Sequence, residues 1–249
     1  MPGSLKDERI QFIVNPRANC GRSGRVWTVL VSEISKLDDI HFIWDICRKA
    51  KDARTVVKRG IKKGCTTIIV VGGDGTFFNI LNAVIEEDAM RYPDLKMGFW
   101  PTGTGTDLAR SMAYGDNYKV QTYLAEAVCQ KIDIGRAEML ELGKNKDEVM
   151  TKEFGEEDDE DDDDVKEERK IVRYYANSAS VGFTAEVANK VNKTPKVVSA
   201  KALFTLGTHL VGKNYQARDM EITADEKQIA NGKTLLVTAD NGSRRSGGL

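Results

Sequence analysis

The sequence is short of the residues that would indicate a metal centre, a disulfide framework or a membrane span. It holds two histidines and four widely separated cysteines: Cys20, Cys47, Cys65 and Cys129. That spacing predicts neither a zinc site nor paired disulfides. No apolar run approaches the ~18 residues that cross a bilayer, and the first ten residues lack the apolar segment of a signal peptide. These absences predict a cytoplasmic protein with reduced thiols.

Acidic residues are concentrated in one segment of the chain. Nine acids fill residues 156–164, and without them the formal charge of −1 becomes +8. A basic remainder suits an anionic ligand or an anionic membrane surface, and it equally suits simple solubility. The surrounding stretch, at about 143–170, has few apolar residues and dense like charge. It predicts a disordered acidic insert, with a tail that binds basic partners as the alternative.

The most informative stretch runs from Thr66 to Thr76. The apolar run Ile68–Val71 predicts a strand buried on both faces. It leads into a turn containing Gly72, Gly73 and Gly75, and then into a helical pattern. A strand, a glycine turn and a helix N-terminus together can point backbone N–H groups at an anion. Glycine also lets a ligand approach the backbone closely.

Asp74 is unusual in a turn that binds phosphate, because its carboxylate would repel the ligand. One interpretation is that Asp74 handles a metal ion or a proton, which indicates chemistry as well as binding. The alternative is that it only caps the helix that follows.

Strands and helices alternate from residue 10 to residue 134. This alternation predicts an α/β fold with a Rossmann-like, doubly wound parallel sheet. Such sheets bind ligands at the carboxyl ends of their strands. Three loops, at 15–25, 72–76 and 101–107, fall at that edge and are rich in glycine, hydroxyl or basic residues. Together they predict a nucleotide site.

The pattern changes after residue 135. The predicted elements are the strands Ala137–Leu142, Ile171–Ser178, Ala217–Thr223 and Thr234–Ala239, with helices at Ala185–Val191 and Ser199–Lys213. We therefore predict an α/β domain over residues 1–131 and a mainly β domain, a sandwich, over 132–249. The final residues follow a strand without closing it. Either the chain stops inside its second domain, so that this domain is C-terminally truncated, or the domain is naturally short.

Five segments, taken in order, resemble one family. They are NPRANCGR, GGDGT with a helix containing Asn82, PTGTGTDLARSM, KIDIGR at 131–136, which fits a strand entering the second domain, and NSASVGFTAEV at 177–187. The chain resembles the diacylglycerol kinase catalytic domain family, which includes bacterial diacylglycerol kinase-like lipid kinases, sphingosine kinases and ceramide kinases. The resemblance runs from about residue 10 to residue 242.

The resemblance implies Mg2+-dependent transfer of the ATP γ-phosphoryl group to a lipid hydroxyl, in a cleft between an α/β domain and a β-sandwich. Such a reaction requires positioned phosphates, cations and a base near the acceptor. Its partner would be a lipid substrate at a membrane surface, reached by peripheral association. The oligomeric state is left open, with a homodimer as one option.

The resemblance also implies roles for individual residues. Asp74 would be the catalytic proton acceptor or a metal-linked carboxylate, and Glu186 would contact the lipid head group. The nucleotide would be bound by Asn15, Gly72, Gly73, Asp74, Gly75, Thr76, Asn79, Gly103, Thr104, Gly105 and Asp107.

The chain departs from the family pattern at several positions. Asn79 stands where Glu is common, Thr106 where Asn is, Thr184 where several relatives have an acid, and Cys47 where some have Thr. A metal-organising Asp-Gly loop and a general-base Asp-Gly-Glu motif, present in bacterial members, do not occur before Leu249. The alternative function is therefore a catalytically incomplete nucleotide-binding module. A NAD kinase is disfavoured, because no Asn-Glu-Asp motif follows GGDGT.

Overall fold

The fold is an α/β sheet followed by antiparallel strand pairs. The computed structural model describes residue 5 and residues 8–86, 94–103, 106–112, 120–125, 129–141, 169–194 and 200–243. The strands are β1 (Arg9–Val14), β2 (His41–Ile46), β3 (Thr67–Gly72), β4 (Lys96–Pro101), β5 (Gly135–Glu141), β6 (Arg169–Tyr175), β7 (Ser178–Gly182), β8 (Arg218–Ala224), β9 (Lys227–Thr234) and β10 (Leu236–Asp240). The helices are α1 (Arg22–Ile34), α2 (Asp52–Lys62), α3 (Asp74–Glu86), α4 (Asp107–Ser111), α5 (Val120–Ala125), α6 (Phe183–Lys193) and α7 (Ala200–Gly212).

The first four strands form one parallel sheet in the order β2-β1-β3-β4. Alternate residues of β3 face opposite layers of the protein. Ile68 and Val70 pack in a core with α2 and α3, whereas Ile69 and Val71 pack in a core with α1 and α5. All four side chains are fully buried. The predicted strand with two buried faces and the predicted parallel sheet are both confirmed.

The strand order reverses between β1 and β3, which are parallel neighbours in the sheet. From β1 the chain moves outward to β2, and then crosses back to β3 and on to β4. In open α/β sheets, ligands bind at the carboxyl ends of the strands beside such a reversal. The loops that follow β1 and β3 therefore begin at the position where a ligand site is expected.

The second part of the described chain has antiparallel strands. They pair as β5 with β6, β7 with β10 and β8 with β9, and helices α6 and α7 pack together. The acidic run at 156–164 lies outside the described residues. Arg169 and Lys170, which we predicted to belong to the acidic insert, form the start of β6.

The strands of this part differ from the predicted ones in three places. Residues 131–134 are not a strand: Ile134 packs against the first core, and the strand begins at Gly135. The predicted strand Ile171–Ser178 is two strands, because the chain bends at Asn177, whose carbonyl accepts hydrogen bonds from the N–H groups of Asn241 and Gly242. The third difference is β9, which we did not predict because its sequence, KQIANGKT, is largely polar.

Side-chain amides join the two parts of the chain. The Asn82 Nδ2 group donates to the Tyr174 carbonyl at 2.9 Å, and the Tyr174 N–H donates to Asn82 Oδ1 at 2.9 Å. The Ser111 hydroxyl donates to Asn177 Oδ1 at 3.1 Å. Both α3 and α4 begin at the glycine-rich loops, so each helix links those loops to the second part. The domain boundary at 131/132 stays a prediction.

Candidate nucleotide-binding site

The loops after β3 and β4 are in direct backbone contact. The Gly72 carbonyl accepts hydrogen bonds from the N–H groups of Thr102, at 2.8 Å, and Gly103, at 2.9 Å. A Cβ on Gly103 would clash with the Cα atom of Gly73, and a Cβ on Gly72 would lie 2.9 Å from Thr76 Oγ1. Glycine is therefore required at Gly72 and Gly103 by protein packing, before any ligand is considered.

The loop after β1 is bonded to both of the other loops. The Asn15 Nδ2 group donates to Thr76 Oγ1 at 3.0 Å, across the reversal point of the sheet. The Asn19 Nδ2 group donates to the Thr102 carbonyl at 3.1 Å, and the buried hydroxyls of Ser23 and Thr102 share a hydrogen bond. The three loops thus form one hydrogen-bonded cluster, as their predicted positions at one sheet edge required.

Two of these loops contain left-handed backbone. Asn19, Cys20 and Gly21 are consecutive at φ 51°, 53° and 83°, and Thr106 lies at φ 51°. Outside glycine this conformation is uncommon and costs free energy, least for Asn. Such strain persists where surrounding contacts hold it, and it is frequent at functional sites. Here the Asn19 hydrogen bond to Thr102 and the helix that starts at Arg22 hold the turn.

The N-terminus of α3 presents free hydrogen-bond donors. Within the described residues, the N–H groups of Asp74, Gly75 and Thr76 have no acceptor. A Cβ built on Gly75 meets no protein atom within 4 Å. Asn79 lies four residues further along, on the same side of the helix as Gly75. This end of α3 therefore offers three donors beside open space, which is an arrangement that binds anions.

Asp74 caps a helix other than its own. It is the first residue of α3, and its carboxylate accepts the Asp107 N–H at Oδ2 and the Leu108 N–H at Oδ1, both at 3.2 Å. These are the first two N–H groups of α4. The alternative in which Asp74 caps α3 is therefore wrong, because the side chain turns to the neighbouring loop. Its two hydrogen bonds fix the start of α4 against the start of α3.

The protonation of Asp74 reflects competing effects. Burial raises the pKa of its carboxyl above the ordinary value, the N–H groups of Leu108 and Asp107 oppose that rise, and the nearby Asp107 charge adds to it. A carboxyl with a raised pKa beside an anion site is a candidate for proton transfer. Its hydrogen bonds to α4 are a structural explanation for the same residue.

The other carboxylate of the cluster is Asp107. It lies in the first turn of α4 and forms an ion pair with Arg110 at 3.7 Å. Within the part of the chain that the structure describes, no group of three or more His, Cys, Asp or Glu side chains is arranged to hold a metal ion. A cation here would need ligands from a bound phosphate as well as from Asp107.

Most of the predicted nucleotide residues meet in this cluster. They are Asn15, Gly72, Gly73, Asp74, Gly75, Thr76, Gly103 and Asp107, with Asn79 one turn along α3. Thr104 and Gly105 lie outside the described residues. Glu186 lies in α6, where it pairs with Arg218 of β8 at 3.1 Å. Cys47 is buried, and that burial raises the pKa of its thiol to about 11, so it is an unreactive core residue.

Three residues of the cluster were not predicted as site residues: Asn19, Ser23 and Thr102. Asn19 carried a usable signal, because Asn is the non-glycine residue that best tolerates left-handed backbone before a helix. Ser23 and Thr102 carried none, since a hydroxyl side chain in a loop has many local uses. Their pairing depends on residues 79 positions apart in the chain.

The structure defines an α/β protein whose glycine-rich loops meet at the carboxyl edge of an open parallel sheet. The family model for the diacylglycerol kinase catalytic domain matches residues 9–137, slightly more than half of the chain. The chain belongs to the diacylglycerol kinase catalytic domain family, which confirms the resemblance seen in the sequence.

Individual relatives match over shorter stretches. "Probable lipid kinase YegS-like" from Enterobacter sp. (strain 638) is 36% identical over 74 residues, which are 30% of this chain and 24% of that protein. "Diacylglycerol kinase" from Staphylococcus carnosus is 33% identical over 90 residues, which are 36% of this chain and 28% of that protein. The chain thus matches less than a third of the length of either relative.

A solved structure supports the fold. "A putative diacylglycerol kinase from Bacillus anthracis str. Sterne" superposes with a TM-score of 0.58 at 20% identity, over 97% of this chain and 69% of that one. At this identity the likeness concerns the fold alone. Within the described residues, the helices are too short or too polar to cross a bilayer.

Proposed function

We propose that this protein binds ATP at the three-loop cluster and transfers its γ-phosphoryl group to the hydroxyl of a lipid. The observation that carries the proposal is the N-terminus of α3, where three adjacent N–H groups have no acceptor among the described residues and Gly75 faces open space. A helix N-terminus favours negative charge because its N–H groups and its dipole both point outward. Family membership supports phosphoryl transfer over other uses of such a site.

The phosphates would rest on the N–H groups of Asp74, Gly75 and Thr76. Asn15 would hold this end of α3 in place, since its amide donates to Thr76 Oγ1. Asn79, one turn further on the same side as Gly75, would contact the part of the nucleotide that extends along the helix. Phosphoryl transfer depends mainly on such positioning and on stabilising the charge.

The described residues fit Mg2+ as a companion of the nucleotide. Mg2+ in phosphoryl-transfer sites is held by one or two carboxylates together with phosphate oxygens and water. Asp74 and Asp107 are the two carboxylates beside the start of α3 that would hold the ion, Asp74 while bonded to the N–H groups of Asp107 and Leu108, and Asp107 beside Arg110. When bound, the ion supplies neutralisation of the phosphate charge.

The acceptor is proposed to be a lipid hydroxyl, of a diacylglycerol, a sphingoid base or a related lipid. The relatives named as lipid and diacylglycerol kinases support this class. A nucleotide-binding module without catalysis is the second candidate, and the capping role of Asp74 favours it. That role leaves the carboxylate explained without any proton transfer.

A direct assay tests the proposal and separates the two candidates. The full-length protein is incubated with [γ-32P]ATP, Mg2+ and vesicles made from a total lipid extract, and ATP binding is measured in parallel by titration calorimetry. Label in the organic phase is the expected result. ATP binding without labelled lipid would support the module, and absence of ATP binding would overturn both.

Cys20 provides a separate test of where ATP binds. Its thiol is exposed in the left-handed turn before α1, within the three-loop cluster. We expect Mg-ATP to slow alkylation of Cys20 several-fold, because bound phosphates would cover this turn. Mass spectrometry of tryptic peptides gives the rate. Cys129, which is also exposed, is the control and should react equally fast with and without ATP. Equal protection of both thiols would indicate a global effect and not a local site.

A further inference from the structure

Asn82 is a buried side-chain amide in the interior of α3, where it is 8% exposed. Its Nδ2 group donates to the carbonyls of Phe78 and Tyr174, and its Oδ1 atom accepts the Tyr174 N–H, each at 2.9 Å. Asparagine is a poor residue for a helix interior, and its burial is costly unless its polar groups are bonded. Phe78 satisfies one amide hydrogen, so the bonds to Tyr174 are what satisfy the rest of the group.

Both bonds to Tyr174 are made with its main chain. Tyr174 lies in β6, and its N–H and its carbonyl both bond to α3. A neighbouring strand would bond these two groups in the same way, so Asn82 takes the place of a strand beside β6. Two residues later, Ala176 is buried in the core that α2 and α3 share with the sheet. The backbone of β6 is thus fixed directly to α3.

Asn82 lies on the side of α3 that carries the proposed phosphate site. It follows Gly75 by seven residues and Asn79 by three, which is the spacing of residues on one side of a helix. Gly75 borders open space at the N-terminus of α3. Seven residues of helix span about 10 Å. The strand β6 is therefore held at that distance from the phosphate donors, on the side of α3 along which a nucleotide would extend.

We propose that Asn82 is a positioning residue for phosphoryl transfer, because it sets the distance between a nucleotide on α3 and the second part of the chain, which borders the acceptor. This inference rests on the proposed function, since it needs ATP on α3 and an acceptor hydroxyl beside it. A misplacement of about 1 Å between reacting groups is enough to slow a reaction about 100-fold. Asn82 acts through β6 and not on the phosphates, so loss of its amide should affect transfer and not ATP binding.

The split between turnover and ATP affinity tests this role. We expect Asn82→Ala to lower kcat for lipid about 30-fold, while the Kd for ATP, measured by calorimetry, changes no more than about threefold. Gln11→Ala is the matched control, because Gln11 is fully buried and its amide donates to the Val56 carbonyl at 2.8 Å, within the first part of the chain. It should lower the melting temperature as Asn82→Ala does and leave kcat within a few-fold of wild type.

Asn82→Asp provides a rescue that depends on pH. An ionised carboxylate cannot donate to the Tyr174 carbonyl, whereas a protonated carboxyl donates one bond and accepts another, as the amide does. Burial raises the pKa of such a carboxyl. We expect kcat of this variant, relative to wild type at the same pH, to rise about tenfold from about pH 8 to about pH 5.5. The same ratio for Asn82→Ala should stay constant.

Hydrogen exchange tests the coupling without a lipid assay. In the wild type, Mg-ATP should slow exchange of the Tyr174 N–H several-fold, because this group is bonded to the helix that would bind the phosphates. In Asn82→Ala this effect of Mg-ATP should disappear. If the wild type binds ATP but labels no lipid, the kinase proposal fails, and exchange still decides whether Asn82 couples α3 to β6.

Several results would overturn the inference. One is a folded Asn82→Ala variant with kcat near that of wild type, and another is a parallel loss of kcat and ATP affinity, since Asn82 would then support the phosphate site itself. A loss of kcat in Gln11→Ala as large as in Asn82→Ala would attribute the effect to stability alone. Equal protection of Tyr174 by Mg-ATP in wild type and Asn82→Ala would show that β6 does not depend on the amide.

Asn82→Asp decides the question if the alanine variant does not fold, because a ratio of kcat that is independent of pH would also overturn the inference. Absence of ATP binding by the wild type would remove the inference together with the proposed function.

Discussion

Replacing Asp74 by alanine is expected to lower lipid phosphorylation at least about 100-fold, equivalent to 2.7 kcal/mol at 1.36 kcal/mol per tenfold. The substitution removes both hydrogen bonds from the start of α4, and bonds to a charged acceptor contribute about 1.5–3 kcal/mol each. Without them the loop that carries Gly103 and Asp107 loses its fixed position beside α3. Steady-state turnover and ATP affinity, measured together, give the result.

Asp74→Asn separates positioning from proton transfer. The asparagine carbonyl can still accept one of the two N–H groups, so ATP affinity should fall less than in the alanine variant. If Asp74 also accepts a proton, turnover falls by the same large factor in both variants while binding of ATP differs. Turnover that survives in Asp74→Asn would assign Asp74 to positioning alone.

Asp52 supplies the matched control. Its carboxylate also accepts two backbone N–H groups, from Arg48 and Lys49 at 3.0 Å each, at the start of α2. Asp52→Ala therefore removes the same kind of interaction outside the three-loop cluster. We expect it to lower stability without lowering turnover by more than a few-fold. A large loss of turnover in this control would show that any loosened helix start is sufficient.

The pH dependence of stability has a definite sign at Asp74. Because burial raises the pKa of the folded carboxyl, its favourable contribution is present below the unfolded pKa and is lost as pH rises through the folded pKa. At neutral pH the folded protein is therefore less stable with Asp74 ionised than it would be with Asp74 protonated. The melting temperature of Asp74→Asn relative to wild type should increase from acid to neutral pH, and a decrease would contradict the raised pKa.

Gly75→Ala is expected to weaken ATP binding at least about tenfold without destabilising the fold. The new Cβ meets no protein atom within 4 Å, and alanine in a helix is favoured over glycine by up to about 1 kcal/mol. The methyl group would instead enter the space assigned to the phosphates. Calorimetry gives the affinity and thermal unfolding the stability.

Gly103→Ala is the contrasting variant. Its Cβ would clash with the Cα atom of Gly73, so the two loops must separate. Overpacking of this kind costs about 1–3 kcal/mol, and ATP binding should fall together with stability. Gly75→Ala should therefore lower ATP affinity while stability is retained, whereas Gly103→Ala should lower both. Unchanged ATP affinity in Gly75→Ala, with a folded protein, would exclude the N-terminus of α3 as the phosphate site.

The local sequence pattern predicted the strand, the glycine turn and the loops that form the site. Strand β3 is apolar at every position from Ile68 to Val71, and such a run predicts burial on both faces. The glycine turn and helix that follow it, and the alternation of strands and helices around it, placed three loops at one sheet edge. These inferences succeeded because each depends on neighbours a few residues apart.

The strands of the second part were harder to predict from the sequence, for a physical reason. Strand β9 pairs with β8 but exposes nearly all of its residues, so its sequence lacks an apolar alternation to reveal it. The break between β6 and β7 depends on the Asn177 carbonyl bonding to the backbone of Asn241 and Gly242, 64 and 65 residues later. Local secondary-structure propensities carry no information about hydrogen bonds between residues so far apart in the chain.

By itself, the sequence determined the parallel sheet, the glycine turn at Gly72 to Gly75 and the family, since strand and helix periodicity and motif spacing are properties of adjacent residues. Only the tertiary structure decided the strand order and the partner of Asp74. A carboxylate at a helix start is ordinarily expected to cap that helix. Here contact between Gly73 and Gly103 brings the first N–H groups of α4 within reach of Asp74, and that proximity, set by chain segments about thirty residues apart, gives the side chain its role.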